Sequence, residues 1–479
     1  MTDTAVAQKK PGILTRIAYG TGGAAGGIKN NGFDYVLLLF YSQILGLPGV
    51  WVAAAIWIAL IVDAVSDPII GYWSDNMRSK FGRRHPFMYA AAIPVAIAYF
   101  FVWNPPSGFE GPPLFFWLLI ATIAVRISYT LFEVPSFSLA AELSQDYDVR
   151  TSLMSFRYFF GWVGGLAIQV MLFAVFLQPS EGDPQGFNHV PGWNLYGLVA
   201  ASAILFAILT TSLGTHHRIP QLKSPPPERE LTLGKIFAEI WETLSNPSFR
   251  ALFIATLFGL LATGISATLN QYINSFFWNF TGDQIALLTF AVFLSAGLAL
   301  VLAPIAGKVW GKKRAAIIIG LLAFTLAPAP VFARLLGLLP ANGTPELFQI
   351  ILVVTVFDVA LIVAYQMLAA AMVTDIVEES ELKTGRRSEG TFFAGITFIR
   401  KLSQGVGVVT ASMILSVAAI APNTPVEDAS AESVAKLGFG YAATLLTVWM
   451  LMILAISFYR ISREDHARNL EALAAKQAE

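Results

Sequence analysis

The chain has 479 residues, 56% hydrophobic and only 13% charged, whereas a soluble globular domain carries about 25% charged residues. Lys plus Arg and Asp plus Glu each total 31, and this balance excludes nucleic-acid binders and polybasic surface proteins, which need one sign in excess. Cysteine is absent, which rules out a disulfide framework, a thiolate metal site and a cysteine nucleophile.

The opening residues, MTDTAVAQKKPG, lack the apolar core of a cleavable signal peptide. Residues 17–73 then hold two apolar segments, divided by the turn Gly46-Leu47-Pro48-Gly49. Further apolar segments follow near 86–104, 114–141, 158–180 and 190–215. After a hydrophilic stretch they resume at 251–282, 284–307, 315–337, 346–374, 390–420 and 437–459. Each is long enough for a spanning helix, which needs about 20 mainly apolar residues. The pattern predicts an all-α integral membrane protein with twelve transmembrane helices.

Charge placement agrees with that number. Connections 74–86, 142–151, 214–249, 308–314 and 375–389 hold 16 Lys and Arg. The alternate ones, 104–113, 178–193, 281–283, 338–346 and 421–436, hold only Lys436. The positive-inside rule then puts both termini in the cytoplasm of an inner membrane. The longest connection separates an N-terminal six-helix half (1–213) from a C-terminal one (250–479), with 214–249 as a cytoplasmic linker. The halves echo one another: Pro68, Gly71 and Gly82-Arg83-Arg84 return as Pro304, Gly307 and Gly311-Lys312-Lys313-Arg314. A duplicated six-helix unit predicts a solute pathway between the halves near mid-membrane.

A charge at the bilayer centre costs at least about 2.5–3.5 kcal/mol, so charges inside spans mark function or a buried pair. Asp63-Ala64-Val65-Ser66-Asp67-Pro68 puts two carboxylates one above the other on a helix face. Both ionised, they repel unless a cation sits between them. Ser66 adds an oxygen, and Pro68 frees a backbone carbonyl. The competing reading is structural: Asp67 ends the helix, and Asp63 pairs with Arg126 or Lys29. In the fourth span Arg126, Tyr129, Thr130 and Glu133 share one stripe. That stripe suits a polar, ring-containing solute or, equally, an internal salt bridge. Arg157 and Lys401 fit either a solute contact or neutralisation of Asp63 and Asp67.

Other motifs carry no chemistry. The glycine-rich run Gly20–Gly27 has neither a preceding strand nor a closing Gly-Lys-Ser/Thr, so it reads as close helix packing rather than a phosphate loop. His85, His189, His216 and His217 are expected in loops, and none has a metal-ligand partner within a span. No nucleophile elbow or acid/base dyad is evident, so no catalytic residues and no cofactor are expected.

Gly71-Tyr72-Trp73-Ser74-Asp75, followed by Arg78 and Gly82-Arg83-Arg84, resembles an expanded cytoplasmic loop motif of the major facilitator superfamily. The longer string DAVSDPIIGYWSDNMRSKFGRRHPF, residues 63–87, is similar to the glycoside–pentoside–hexuronide:cation symporters, typified by melibiose permease. The likeness continues in Tyr19-Gly20, in Tyr129-Thr130-Leu131-Phe132-Glu133-Val134-Pro135, in Met372 to Glu381, in Gly385 to Glu389 and in Lys401. It implies the two-half fold and cation-coupled symport of a sugar or glycoside, with Na⁺ or H⁺ as coupling ion. By resemblance, Asp63, Ser66, Asp67, Thr130 and Glu133 hold the cation. Tyr129, Glu133, Phe137, Arg157 and Lys401 face the solute, and Asp75, Arg83, Arg84, Asp375, Glu378 and Arg387 form a cytoplasmic gate.

Three departures shape the solute. The sugar-gripping aspartate of melibiose permease aligns on Gly27, its stacking tryptophan on Phe137, and a small residue on Arg126. Lys29 and Arg126 therefore point to an anionic, hexuronide-like solute. The sequence reading is a monomeric secondary transporter that works by alternating access, with membrane lipid around it and no nucleic-acid partner. A lysolipid or amphiphile carrier of the same superfamily is the alternative. A non-transporting sensor or scaffold is a different class, disfavoured by the short tail after Arg460. An enzyme would need Asp63 and Asp67 to hold a divalent catalytic metal.

Overall fold

The computed structural model describes residues 10–144, 147–180, 183–222, 247–384, 403, 405–459 and 468. It divides into two compact units, Met1–Arg229 and Glu230–Glu479. Ten helices among the described residues are long and apolar enough to cross a membrane.

In the first unit the helices are α1 (Ile13–Asn31), α2 (Gly49–Asn76), α3 (His85–Trp103), α4 (Gly111–Leu143), α5 (Tyr147–Met171) and α6 (Val190–His216). α1, with 19 residues, is as long as the shortest of those ten but less apolar. It continues to Ile44 through two π-helical turns, Gly32–Val36 and Phe40–Ile44, with a short α-helical piece between them, so the whole segment has the length of a span. α5 likewise ends in a π-helical turn, Leu172–Phe176. The second unit holds α7 (Pro247–Tyr272), α8 (Gly282–Trp310), α9 (Lys312–Leu335), α10 (Pro345–Thr384), α11 (Gly405–Val417) and α12 (Ala431–Ser457). α9 is interrupted by a turn after Leu326.

The same pairing order recurs in both units. In the first, α1 packs on α5 and α6, α2 on α4, and α3 on α4 and α6. In the second, α7 packs on α12, α8 on α10, and α9 on α10 and α12. The echoed motif has a local cause. Pro68 and Pro304 lie inside α2 and α8. Gly82 and Gly311 turn the chain into α3 and α9 with φ of +72° and +75°, a left-handed conformation that glycine adopts without steric cost.

The glycines of α1 serve packing, as the sequence predicted. A Cβ at Gly20 would approach Phe156 Cβ to 2.7 Å, and one at Gly23 or Gly27 would collide with the carbonyl oxygen of Arg157 or Gly161. Only glycine lets the α1 and α5 backbones meet this closely. Gly407 repeats the device on α11, where an added Cβ would sit 2.9 Å from Gly264 on α7. At the far end of the first unit, buried rings lock the bundle: Trp103 stacks on Trp193 at 6.0 Å, and Tyr41 Oη donates to Val102 O at 2.7 Å.

Two of the histidines expected in loops belong to helix ends. His85 is the buried first residue of α3, with Nε2 2.9 Å from Thr215 Oγ1. His216 is the last residue of α6, with Nδ1 2.7 Å from Tyr89 Oη. The missed signal is Pro86, which suits the first turn of a helix and so marks a start at His85.

Candidate functional site

Asp63 sits at the midpoint of α2, about 21 Å from its start at 1.5 Å per residue. α4 lies alongside and presents its polar stripe to it. Arg126 Nη1 donates to Asp63 Oδ2 at 3.2 Å, and both side chains are almost fully buried, at 6% and 4% exposure. Arg126 is thus in contact with Asp63, one of the partners the sequence offered it. Thr130 Oγ1 lies 2.9 Å from Asp63 Oδ1, 3.2 Å from Asp67 Oδ1 and 3.0 Å from the Arg126 carbonyl. One hydroxyl therefore bridges the two carboxylates. Ser66 Oγ donates to the Asp63 carbonyl at 3.0 Å, so its hydrogen is spent on its own helix.

One turn further along, the aromatic and cationic residues gather around Tyr129. This ring is buried and lies within electrostatic reach of Glu133, Arg157 and Asp63. Lys29, buried on α1, stacks its Nζ over the Tyr129 ring at 4.3 Å. The Arg157 guanidinium, buried on α5, lies 4.1 Å over Phe137 and 5.8 and 5.9 Å from the Tyr19 and Phe132 rings. Arg126 lies 5.5 Å from the Phe33 ring. These aromatic faces offset part of the cost of burying a cation. Two donors still lack an acceptor among the described residues: Arg126 Nε and Arg157 Nη1. Phe33 and Phe132 were not singled out from sequence, because an aromatic ring in an apolar span looks like any core residue. Gly27, aligned on the sugar-gripping aspartate, is at the α1–α5 contact, where a side chain would strike Gly161.

Toward the other end of α2 lies a second charged cluster. Arg84 pairs with Asp75, donates from Nη1 to Ser74 Oγ at 2.7 Å and donates from Nε to Glu142 Oε1 at 2.8 Å. Arg83 Nη2 reaches the same Glu142 oxygen at 2.7 Å. Arg83 and Arg84 thus converge on one acid at the end of α4, and Asp75 joins the cluster through Arg84. Glu142 was missed because no spacing rule links it to basic residues 58 and 59 positions away. Asp375 and Glu378 fall on α10, but their side chains, like Arg387 and Lys401, lie outside the described residues. In the second unit Asp358 Oδ1 is buried with no hydrogen-bond partner among the described residues.

Known proteins of similar sequence and fold bear on this arrangement. The fold resembles the inward-facing, unoccupied crystal structure of a bacterial homologue of the human lysosomal transporter Spinster, with a TM-score of 0.63 at 15% identity over 95% of this chain and 97% of that one. In sequence the chain is 24% identical to an uncharacterised symporter of Synechocystis, over 97% of each protein. It is also 24% identical to a protein of Salmonella typhimurium named as a sulfoquinovose importer, over 98% of this chain and 94% of that one. Residues 18–463 match the family described as MFS/sugar transport protein. Matched over most of its length, and with six helices among the described residues in each of its two units, this chain belongs to that family and is an integral membrane transporter rather than an enzyme.

Proposed function

We propose that the chain is a cation-coupled symporter of an anionic, sugar-type solute. It would lie in the inner membrane with both termini in the cytoplasm and act as a monomer surrounded by lipid. The observation that carries the solute reading is the pair of buried donors, Arg126 Nε and Arg157 Nη1, that have no acceptor among the described residues. A buried donor without an acceptor costs about 1–3 kcal/mol, and more when charged. A carboxylate or sulfonate on the solute would remove that cost, and a sulfonate is what the name of the Salmonella relative points to. Lys29 adds a third cation beside Tyr129, and Phe137, 39% exposed, offers an apolar face for a sugar ring.

In this reading Asp63, Ser66, Asp67, Thr130 and Glu133 form the coupling site, and Lys29, Arg126, Tyr129, Glu133, Phe137, Arg157 and Lys401 the solute site. The cation relieves the repulsion between carboxylates, and the solute anion satisfies the arginines. Only the empty and the doubly loaded forms then exchange sides, because a half-loaded site strands a charge in a low-dielectric interior. Asp75, Arg83, Arg84 and Glu142, with Asp375, Glu378 and Arg387, act as the inner gate.

Thermal unfolding with methyl glucuronide and with methyl glucoside tests the reading, since the two differ only in the carboxylate. A ligand at 100 times its Kd adds about 2.7 kcal/mol of stability. The glucuronide is expected to stabilise the protein and the glucoside not, with the difference lost in Arg157→Gln. Equal stabilisation by both sugars would refute the anionic reading.

A further inference from the structure

We propose that the α8–α9 turn of the second unit binds the headgroup of an anionic phospholipid through Lys308, Lys313 and Arg314. The observation behind it is an asymmetry between the two copies of the echoed motif. In the first unit the basic residues after Gly82 are spent inside the protein: Arg83 and Arg84 share Glu142, and Arg84 also pairs with Asp75. In the second unit Gly311 turns the chain with nearly the same φ, +75° against +72°. The cations around it are not spent in this way. Lys308, Lys313 and Arg314 make no hydrogen bond or ion pair among the described residues. Lys308 and Arg314 are exposed, and Lys313 is half-buried.

The apolar faces beside these cations say what meets them. α8 ends at Trp310 and α9 begins at Lys312, so Gly311 alone joins the two helices. On α8 the exposed Val301, Ile305 and Lys308 follow at spacings of four and three, which puts them on one helix face. On α9 Arg314, Ile318 and Leu321 do the same. The inward faces are closed by Ala303 and Ala306 of α8 and by Ala315, Ala316 and Ile319 of α9, all buried. Each outward stripe is therefore apolar along the helix and cationic where the helix meets the turn. In a membrane such a stripe lies against acyl chains, and the cation at its end stands at headgroup level. Trp310, 47% exposed, supplies the amphipathic ring that favours the same level.

Charge complementarity selects the headgroup. Lys308 lies in the last turn of α8, where the helix dipole favours a cation. Lys313 and Arg314 lie in the first turn of α9, where the dipole disfavours one, so an anion from outside relieves them. Phosphatidylcholine brings a phosphate already balanced by its own ammonium, whereas phosphatidylglycerol brings a net negative charge. A free phosphate matches the cations but not the apolar stripes, so the lipid is the occupant that uses both parts of the surface. Each basic residue at an anionic bilayer surface favours association about fivefold.

Because the chain has no cysteine, Val309→Cys gives a unique attachment point beside the cluster. A bimane label there is quenched by phospholipid that carries a nitroxide on its acyl chain. In phosphatidylcholine nanodiscs holding the full-length protein, quenching by nitroxide phosphatidylglycerol is compared with quenching by nitroxide phosphatidylcholine at equal mole fraction. The anionic lipid is expected to quench more, and high salt to erase the difference. Lys308→Gln/Arg314→Gln is expected to lower its relative affinity roughly 25-fold, at about fivefold per cation. Two variants are expected to keep the preference. Lys308→Arg/Arg314→Lys retains both charges, and Arg78→Gln/Lys80→Gln removes two exposed charges from the corresponding loop of the first unit. Inorganic phosphate at matched ionic strength is expected to leave the preference intact; its loss there would assign the cluster to a soluble anion and overturn the lipid. Equal quenching by both lipids with the native charges in place, or an equal loss in Arg78→Gln/Lys80→Gln, would also overturn the proposal. If Lys308→Gln/Arg314→Gln does not fold, the lipid comparison, the salt series and the phosphate arm still decide it.

Discussion

Thr130 and Glu142 each hold two partners together, and each removes a specific property when changed. Thr130→Val keeps the shape and deletes the hydroxyl that bridges Asp63 and Asp67. It is expected to cost about 1–3 kcal/mol, because Asp63 Oδ1 loses a buried donor. It should also weaken accumulation of solute more than solute binding, which uptake and thermal unfolding measured side by side would show. Glu142→Gln leaves Arg83 and Arg84, both largely buried, facing a neutral amide. Breaking a buried pair from one side costs about 3–5 kcal/mol, so this variant should unfold at clearly lower denaturant than wild type. Because Arg83 keeps some exposure, the lower end of that range applies.

Among the helices, the α1–α5 contact governs where Arg157 stands. Gly23 and Gly27 face carbonyl oxygens of α5, that of Arg157 itself in the case of Gly23. Gly23→Ala must therefore push α5 away or twist it, at a cost of about 1–3 kcal/mol for overpacking. The expected result is a less stable protein with weakened binding of a glucuronide. Gly12→Ala, at a position with open space around its Cβ, should change neither. The π-helical turns that end the α1 and α5 segments have no counterpart in the sequence reading. A single i→i−5 turn inside an α-helix is uncommon and leaves no mark in the composition of an apolar stretch; packing decides where it forms.

For the molecule as a whole, the proposed symport of a cation with an anionic solute sets the charge carried per cycle. One monovalent cation moving with one monoanionic solute carries no net charge, so a membrane potential does no work on the pair. Uptake of methyl glucuronide into proteoliposomes is expected to respond to an inward proton or Na⁺ gradient and to be unchanged by an imposed K⁺ diffusion potential. A neutral solute would instead gain about 2.3 kcal/mol per 100 mV, and strong stimulation by the potential would show that the solute is uncharged. The fold behind this was largely legible. Apolar segment length, the alternation of basic and uncharged connections and the Pro–Gly–basic echo led to a twelve-helix architecture, because a bilayer imposes length and charge rules that act on composition alone. The acidic pair on α2 was legible for the same reason, since spacing of four residues puts side chains on one helix face whatever surrounds them. Partners across helices were not. Sequence left Arg126 between solute and Asp63 and gave no hint of Glu142. The amino-acid order by itself determined the spans, their number and the polar stripe on each; only the tertiary structure decided which stripes meet, because helix–helix register depends on side-chain shape over tens of residues rather than on any local spacing.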